Sequence, residues 1–286
     1  MNENKPHSLW HDALWRLKKN KLAVASAIFI AIEIFVFIIT PWIAPYAFEA
    51  QDLSNTLAFP SAQHWLGTDT LGRDLFTRLL YGGRISLSVG LLASLVSVFV
   101  GVLYGAVSGF AGGRIDNWMM RIVDVLYALP FIFLVIILMV YFGRNIVLMF
   151  IALGLTQWLT MARIVRGQVI SLRHKEFVDA ARTMGVSSGT IVRNHLIPNS
   201  LGPVIIYLTL TIPTVILEEA FLSFLGLGVQ APMASWGTLI SGGVEVMEIA
   251  PWLLIAPACF LSVTLFCLNF LGDGLRDALD PKGARD

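Results

Sequence analysis

Charge is scarce in this sequence. Of its 286 residues only 14% are Asp, Glu, Lys or Arg, and 56% are hydrophobic. A soluble domain carries about 25% charged residues. The deficit excludes a surface that faces water throughout. The net charge of +1 leaves no global basic field for nucleic acid. Cysteine is nearly absent as well. Cys259 and Cys267 stand eight residues apart in one apolar run, which is about 12 Å of helical rise. A disulfide needs Cα atoms within about 7 Å, so the pair reads as small apolar side chains. With His7, His11, His64, His174 and His195 the cysteines form no metal-ligand spacing. No G-x-x-x-x-G-K-[ST] phosphate loop and no H-E-x-x-H pair occurs. Nothing therefore marks this chain as an ATPase or a metallohydrolase.

What is abundant is long apolar sequence. A spanning helix needs about 20 mostly apolar residues. Runs of this kind cover 22–44, 85–111, 122–141, 146–162, 201–222 and 252–271, which predicts six spans. The first follows a basic amphipathic segment, and no A-x-A cleavage pattern follows its apolar run, so it reads as a retained span. Pro130, Pro213 and Pro257 lie inside spans, where they mark kinks. Gly101, Gly105 and Gly109 form a small-residue stripe on which a second helix packs closely. Lys and Arg divide 16 to 4 between the two sets of connecting segments. By the positive-inside rule both termini are cytoplasmic. The expected organisation is a cytoplasmic segment at 1–21, a first span at 22–44 and an outer loop at 45–84. A five-helix core over 85–272 and a cytoplasmic tail at 273–286 follow.

Two connections carry more detail. Within 45–84, residues 68–80 place Leu71, Leu75, Phe76, Leu79 and Leu80 on one face. This predicts a short amphipathic helix, capped by Thr68 or Asp69 and lying flat at the outer interface. Asp69, Asp74 and His64 read as caps and ion-pair partners of Arg73 and Arg78, because no nucleophile accompanies them. Within the inner loop 163–200, Phe177, Ala180, Ala181 and Met184 recur at helical spacing. Gly185 then suits a helix C-terminus, and Ser187 or Ser188 caps a second short helix through Arg193. Pro198 closes the unit. Two short helices meeting at a bend make a knuckle suited either to docking in a partner's groove or to lying on a membrane surface.

Asp179-Ala180-Ala181, then Gly185, then Ile197-Pro198 resembles the E-A-A motif of bacterial ABC-importer permeases. Asp179 replaces the family's Glu, and His195 and Ile197 stand at its Ile and Leu positions, with the spacing intact. His64-Trp65-Leu66-Gly67-Thr68-Asp69 with Leu71-Gly72-Arg73-Asp74 resembles a signature of the peptide/nickel branch. So do Ser223-Phe224-Leu225-Gly226-Leu227-Gly228 and Gly272-Asp273-Gly274-Leu275-Arg276-Asp277. Within the branch the likeness is greatest to the C-type permease subunits of oligopeptide importers. The resemblance implies an all-α membrane protein with six transmembrane helices, in the type I ABC-importer permease fold, with a cytoplasmic coupling helix. It implies an ATPase-coupling role for Asp179, Ala180, Ala181, Gly185, Val186, Ser187, Ser188 and Pro198. It also implies a bacterial inner-membrane location, a second and different permease subunit, two ATPase subunits that bind ATP and Mg, and an outer substrate-binding protein. No cofactor is expected on this chain.

Charged groups inside spans are costly and are functional candidates. Glu33, Glu218 and Glu219 read either as walls of a pathway for a peptide's charged ends or as interhelical hydrogen-bond partners. Asp124 reads as the latter. The substrate class expected from the resemblance is oligopeptide, with dipeptide, glutathione or nickel as alternatives. A self-sufficient channel or secondary transporter is the alternative class. It would carry inverted repeats, and no convincing internal repeat is found.

Overall fold

The computed structural model describes residues 9–143 and 145–279, without the side chains of 9–13. Lys5, Arg144, Asp280, Pro281, Lys282 and Arg285 lie outside the described residues. The described chain forms twelve α-helices in this order: α1 Leu9–Lys19, α2 Lys21–Ile43, α3 Leu75–Ala111, α4 Gly113–Ala128, α5 Phe131–Phe142, α6 Ile146–Leu172, α7 Glu176–Thr183, α8 Ser188–Ile191, α9 Ile197–Asn199, α10 Leu201–Phe224, α11 Trp236–Glu245 and α12 Trp252–Leu279. Five of them, α2, α3, α6, α10 and α12, are long and apolar enough to cross a membrane, and the bent pair α4–α5 meets the same criterion only when its two helices are counted together. The fold is that of an all-helical membrane protein.

Side-chain caps set the long helices' starts. Asn20 accepts the Ala23 N–H at 3.1 Å to open α2. Asp74 accepts the Thr77 N–H at 2.8 Å to open α3, and Asn145 accepts the Val147 N–H to open α6. Each satisfies a donor that has no intrahelical partner.

Three expectations need correction. The flat helix expected at 68–80 does not form. Residues 68–74 are loop, and Leu75 begins a 37-residue helix that runs through the second span. The reason is the cap, since Asp74 and not Thr68 or Asp69 supplies the N-terminal acceptor. At about 1.5 Å per residue α3 is roughly 55 Å long, well beyond the 30 Å or so of a hydrocarbon core. The third run is not one rod. α4 and α5 meet at a bend of 82°. Pro130 has no N–H, and it holds Leu129 in an extended conformation at ψ 128°. Pro198 does not close the loop unit either. It sits in the first turn of α9, where a missing N–H costs little, and a π-helical turn over Val192–Leu196 precedes it.

The packing follows the glycines. A Cβ built on Gly105 would lie 2.4 Å from the Ala162 carbonyl oxygen. One on Gly101 would lie 2.6 Å from Met161 Cβ, and one on Gly109 would lie 2.8 Å from the Arg166 oxygen. Position numbers rise together along both helices, so α3 and α6 run parallel with their backbones in near contact. Helices α2 and α12 pack antiparallel, with Gly274 facing Ala23 and Glu33 facing Thr264. Helix α11 wedges Trp236, fully buried, between α3 and α10.

Candidate coupling surface and pathway cavity

The knuckle is built at the end of the bundle where α3 finishes. Arg173 caps α6, and its Nη1 donates to the Gly109 carbonyl at 3.0 Å. That bond satisfies an oxygen left open at the end of α3. Helix α7 carries Glu176 and Asp179 in its first turn and Arg182 in its last, the arrangement its dipole favours. Its end is a Schellman turn. The Val186 N–H donates to Ala181 at 3.1 Å and the Gly185 N–H to Arg182 at 3.0 Å. Gly185 takes φ +77°, and a Cβ at this position would meet nothing within 4 Å. It is free of neighbours yet fixed in the left-handed region. Ser187 then accepts the Thr190 N–H at 3.3 Å to start α8.

One face of this unit is anchored and the other is free. Val178, Ala181, Ile191 and Leu196 are buried against Val165, Val169 and Val102 of α6 and α3. Asp179, Ala180, Gly185, Ser187, Ser188 and Pro198 are exposed, and Val186 is half-buried. The apolar stripe expected on α7 is therefore split. Only Ala181 of that set turns inward, while Phe177, Ala180 and Met184 turn outward, with Met184 76% exposed. An outward apolar stripe on a helix held firmly from behind suits docking on a partner or lying on a membrane surface.

Residues 185–189 also spell G-x-S-x-G, the letters of a nucleophile elbow. That elbow places its serine between a strand and a helix. Ser187 here follows helix α7, and its hydroxyl is spent on Thr190 at 2.8 Å and on the α8 cap. The match is one of letters only.

Behind the knuckle lies a half-buried ion pair that the sequence did not single out. Asp116, at the start of α4, receives Arg166 Nε at 2.5 Å and Nη2 at 2.6 Å, and the Ser108 hydroxyl at 2.5 Å. It ties α3, α4 and α6 together a turn from the knuckle. Its signal in the sequence was Arg166, just beyond the fourth run and three residues after Arg163.

The three span glutamates separate sharply. Glu219 is fully buried, accepts from Ser86 at 3.0 Å and Ser223 at 2.6 Å, and knits α3 to α10. Glu33, 6% exposed, accepts from Thr264 at 2.6 Å and knits α2 to α12. Glu218 instead opens on a cavity of about 360 Å³ at the α4–α5 bend. Its two oxygens face Gln157 Nε2 at 2.9 and 3.0 Å. Asp124 pairs with Arg163 at 2.7 Å, the interhelical role expected of it.

The segment before α3 is structural. Asp69 pairs with Arg73 at 2.7 Å and Arg78 at 3.2 Å, and His64 Nδ1 lies 2.9 Å from the capping Asp74. Nearby, the Ser54 hydroxyl and then the Asn55 amide hold the Asp52 carboxyl below its usual range. Among the described residues no group of His, Cys, Asp and Glu could hold a metal ion.

Comparison with known proteins fits this geometry. Residues 89–284 match the model of the binding-protein-dependent transport system inner membrane component family. Residues 8–60 match the N-terminal transmembrane domain of oligopeptide transport permease C. The chain is 53% identical to the oligopeptide transport system permease protein OppC of Haemophilus influenzae, across 96% of this chain and 89% of that protein. It is 50% identical to the dipeptide transport system permease protein DppC of Bacillus subtilis, across 96% and 86%. Identity to the glutathione transport system permease protein GsiD of Escherichia coli is 40%, across 96% and 90%. A chain of the inward-facing MetNI methionine ABC transporter superposes with a TM-score of 0.58 at 19% identity, covering 72% of this chain and 98% of that one, which is a likeness of fold.

Proposed function

The chain belongs to the family of binding-protein-dependent transport system inner membrane components, and from that premise we propose that it forms half of the translocation pathway of an ATP-driven oligopeptide importer. The substrate class follows the oligopeptide permeases to which it is similar over nearly its whole length. Its partners in this reading are a second, different permease, two ATPase subunits that bind ATP and Mg, and an outer substrate-binding protein. The membrane is the bacterial inner membrane, with both termini and the knuckle on the cytoplasmic side. The 16-to-4 division of Lys and Arg supports that orientation.

The observation that carries the coupling role is the two-sidedness of 176–198. Its inner face is locked to α3 and α6, and its outer face offers Phe177, Ala180 and Met184. A push on that face moves α6 as a rigid body, and α6 lines the Glu218 cavity through Gln157 and Thr160. Nucleotide-driven closure of the ATPases would thus reach the pathway through one continuous helix.

The test is co-purification and ATP-coupled peptide uptake with the ATPase subunits. Gly185→Arg is expected to lower both at least tenfold. A residue with a side chain is strained at φ +77°, so Met184→Asp serves as a second variant with no backbone penalty. ATPase binding and uptake at wild-type levels in both variants would overturn the coupling role.

A further inference from the structure

Among the described carboxylates that lie within the spans, Glu218 is the one that faces a cavity without a cation. Asp116 has Arg166 and Asp124 has Arg163. Glu219 is enclosed by hydroxyl donors, and Glu33 lines neither cavity, with Thr264 on one oxygen and the other oxygen buried without a partner among the described residues. Glu218 has Gln157, an amide that donates to both oxygens and brings no charge. We propose that Glu218 and Gln157 form a subsite for the terminal ammonium group of the transported peptide. The inference rests on the permease reading above.

The cavity's chemistry is suited to that end of a peptide. Thr156 and Thr160 stand on the same face of α6 as Gln157, and Tyr127 faces them from α4. Together they supply acceptors around an ammonium's three donors. Phe131 and Leu134, from the other side of the bend, give an apolar wall for a first side chain. Arg163, which stacks on the Tyr127 ring at 4.3 Å, does not fill the role, because its guanidinium is committed to Asp124 at 2.7 Å. A carboxylate in such surroundings is costly until a cation joins it. An anionic substrate group would meet that carboxylate and be repelled. The ammonium terminus is also the group that peptides of any sequence share. A subsite for it guides passage without selecting side chains.

The test reads the sign of the charge the cavity prefers. In the full importer complex, Cys259 and Cys267 are replaced by Ser and a single cysteine is introduced as Thr160→Cys. Its reaction rate is measured with trimethylammonium-ethyl and with sulfonatoethyl methanethiosulfonate, each relative to a small free thiol. The cationic reagent is expected to react at least tenfold faster. Glu218→Gln should bring the ratio to within twofold of unity, and Glu218→Asp should restore most of it. Tri-alanine should slow the reaction in the wild-type background, whereas N-acetyl-tri-alanine should not. If Glu218→Gln prevents assembly, Gln157→Leu replaces it, with an expected drop in the ratio of about threefold. A ratio unchanged by Glu218→Gln, or by Gln157→Leu in its place, overturns the subsite, as does equal protection by the two peptides. Failure of the permease reading would show separately, as absence of ATP-dependent tri-alanine uptake by the wild-type complex.

Discussion

Where α3 meets α6, glycine backbone lies against the facing helix at Gly101, Gly105 and Gly109, over about two turns. Where α4 meets α5, one proline holds two helices 82° apart, with Trp118, Val125, Phe133 and Ile137 all more than 60% exposed. Both regions are apolar and helical, and they border the same part of the molecule. The seam has no slack, because its helices approach until side chains are excluded. The bent pair buries one face, through Val123, Val135 and Met139, and leaves the other open. In lipid, apolar exposure is no penalty and association comes from close packing and interhelical hydrogen bonds. The contrast therefore separates a tightly seamed element from a more open one. The rod formed by α3 and α6 links the knuckle to the cavity, and the bend forms another wall of that cavity.

The seam breaks first in prediction. Gly105→Val pushes a branched side chain into the Ala162 carbonyl, with Arg166 N also only 3.0 Å from the new Cβ. Overpacking of this kind costs about 1–3 kcal/mol or more. A lower melting temperature of the solubilised chain and a lower folded yield are expected. Gly167, on the partner helix α6, is the control, since a Cβ there meets nothing within 4 Å. Gly167→Ala should leave stability unchanged or raise it by up to about 1 kcal/mol, because alanine loses less conformational freedom than glycine. Equal losses in the two variants would mean that the seam is not the tight element described.

The next effect tests how the seam is tied to the bent pair. Asp116→Ala removes the acceptor of two Arg166 bonds and of Ser108. Hydrogen bonds to charged groups contribute about 1.5–3 kcal/mol. Arg166 is one-third exposed and regains some hydration, so a loss near the lower end, about 1.5 kcal/mol, is expected in thermal unfolding. Asp116→Asn keeps an acceptor and should lose less. No difference between Ala and Asn would assign the effect to volume and not to the pair.

How far these regions were legible in the sequence follows from what each depends on. Apolar run length is a one-dimensional property, so the positions of α2, α10 and α12 are written in composition. The seam was legible because Gly101, Gly105 and Gly109 repeat at the helical period. The left-handed Gly185 was legible because a helix that stops needs such a residue. The inward face of α7 was not. At eight residues the helix is too short for its own pattern to decide, and the ends of α3 and α6 chose Val178 and Ala181 over Phe177 and Met184. Glu218 and Glu219 were inseparable on paper. Adjacent helical residues point about 100° apart, and only the neighbours on α3, α6 and α11 make one a buried tie and the other a cavity wall. The start of α3 was misplaced because Asp74, Asp69 and Thr68 are all good caps, and the choice fell to the ion pairs of Asp69 with Arg73 and Arg78.

The smallest effect on stability carries the sharpest test of the bend. Pro130 lines the cavity and follows a Leu129 held extended. With Pro130→Ala the missing N–H is restored and the pre-proline restriction on Leu129 disappears. The two helices can then join as one rod, at a change in stability within about 1 kcal/mol. Spin labels at Trp118→Cys and Tyr141→Cys, in a background with Cys259 and Cys267 changed to Ser, report the geometry. With an 82° bend the two backbone positions lie about 25 Å apart, and in a straight helix about 35 Å, at 1.5 Å of rise per residue. The distance distribution is expected to shift to the longer value in Pro130→Ala, with peptide uptake falling as the cavity loses its wall. A distance that stays short would mean that packing of α5 against α6, and not the proline, holds the bend.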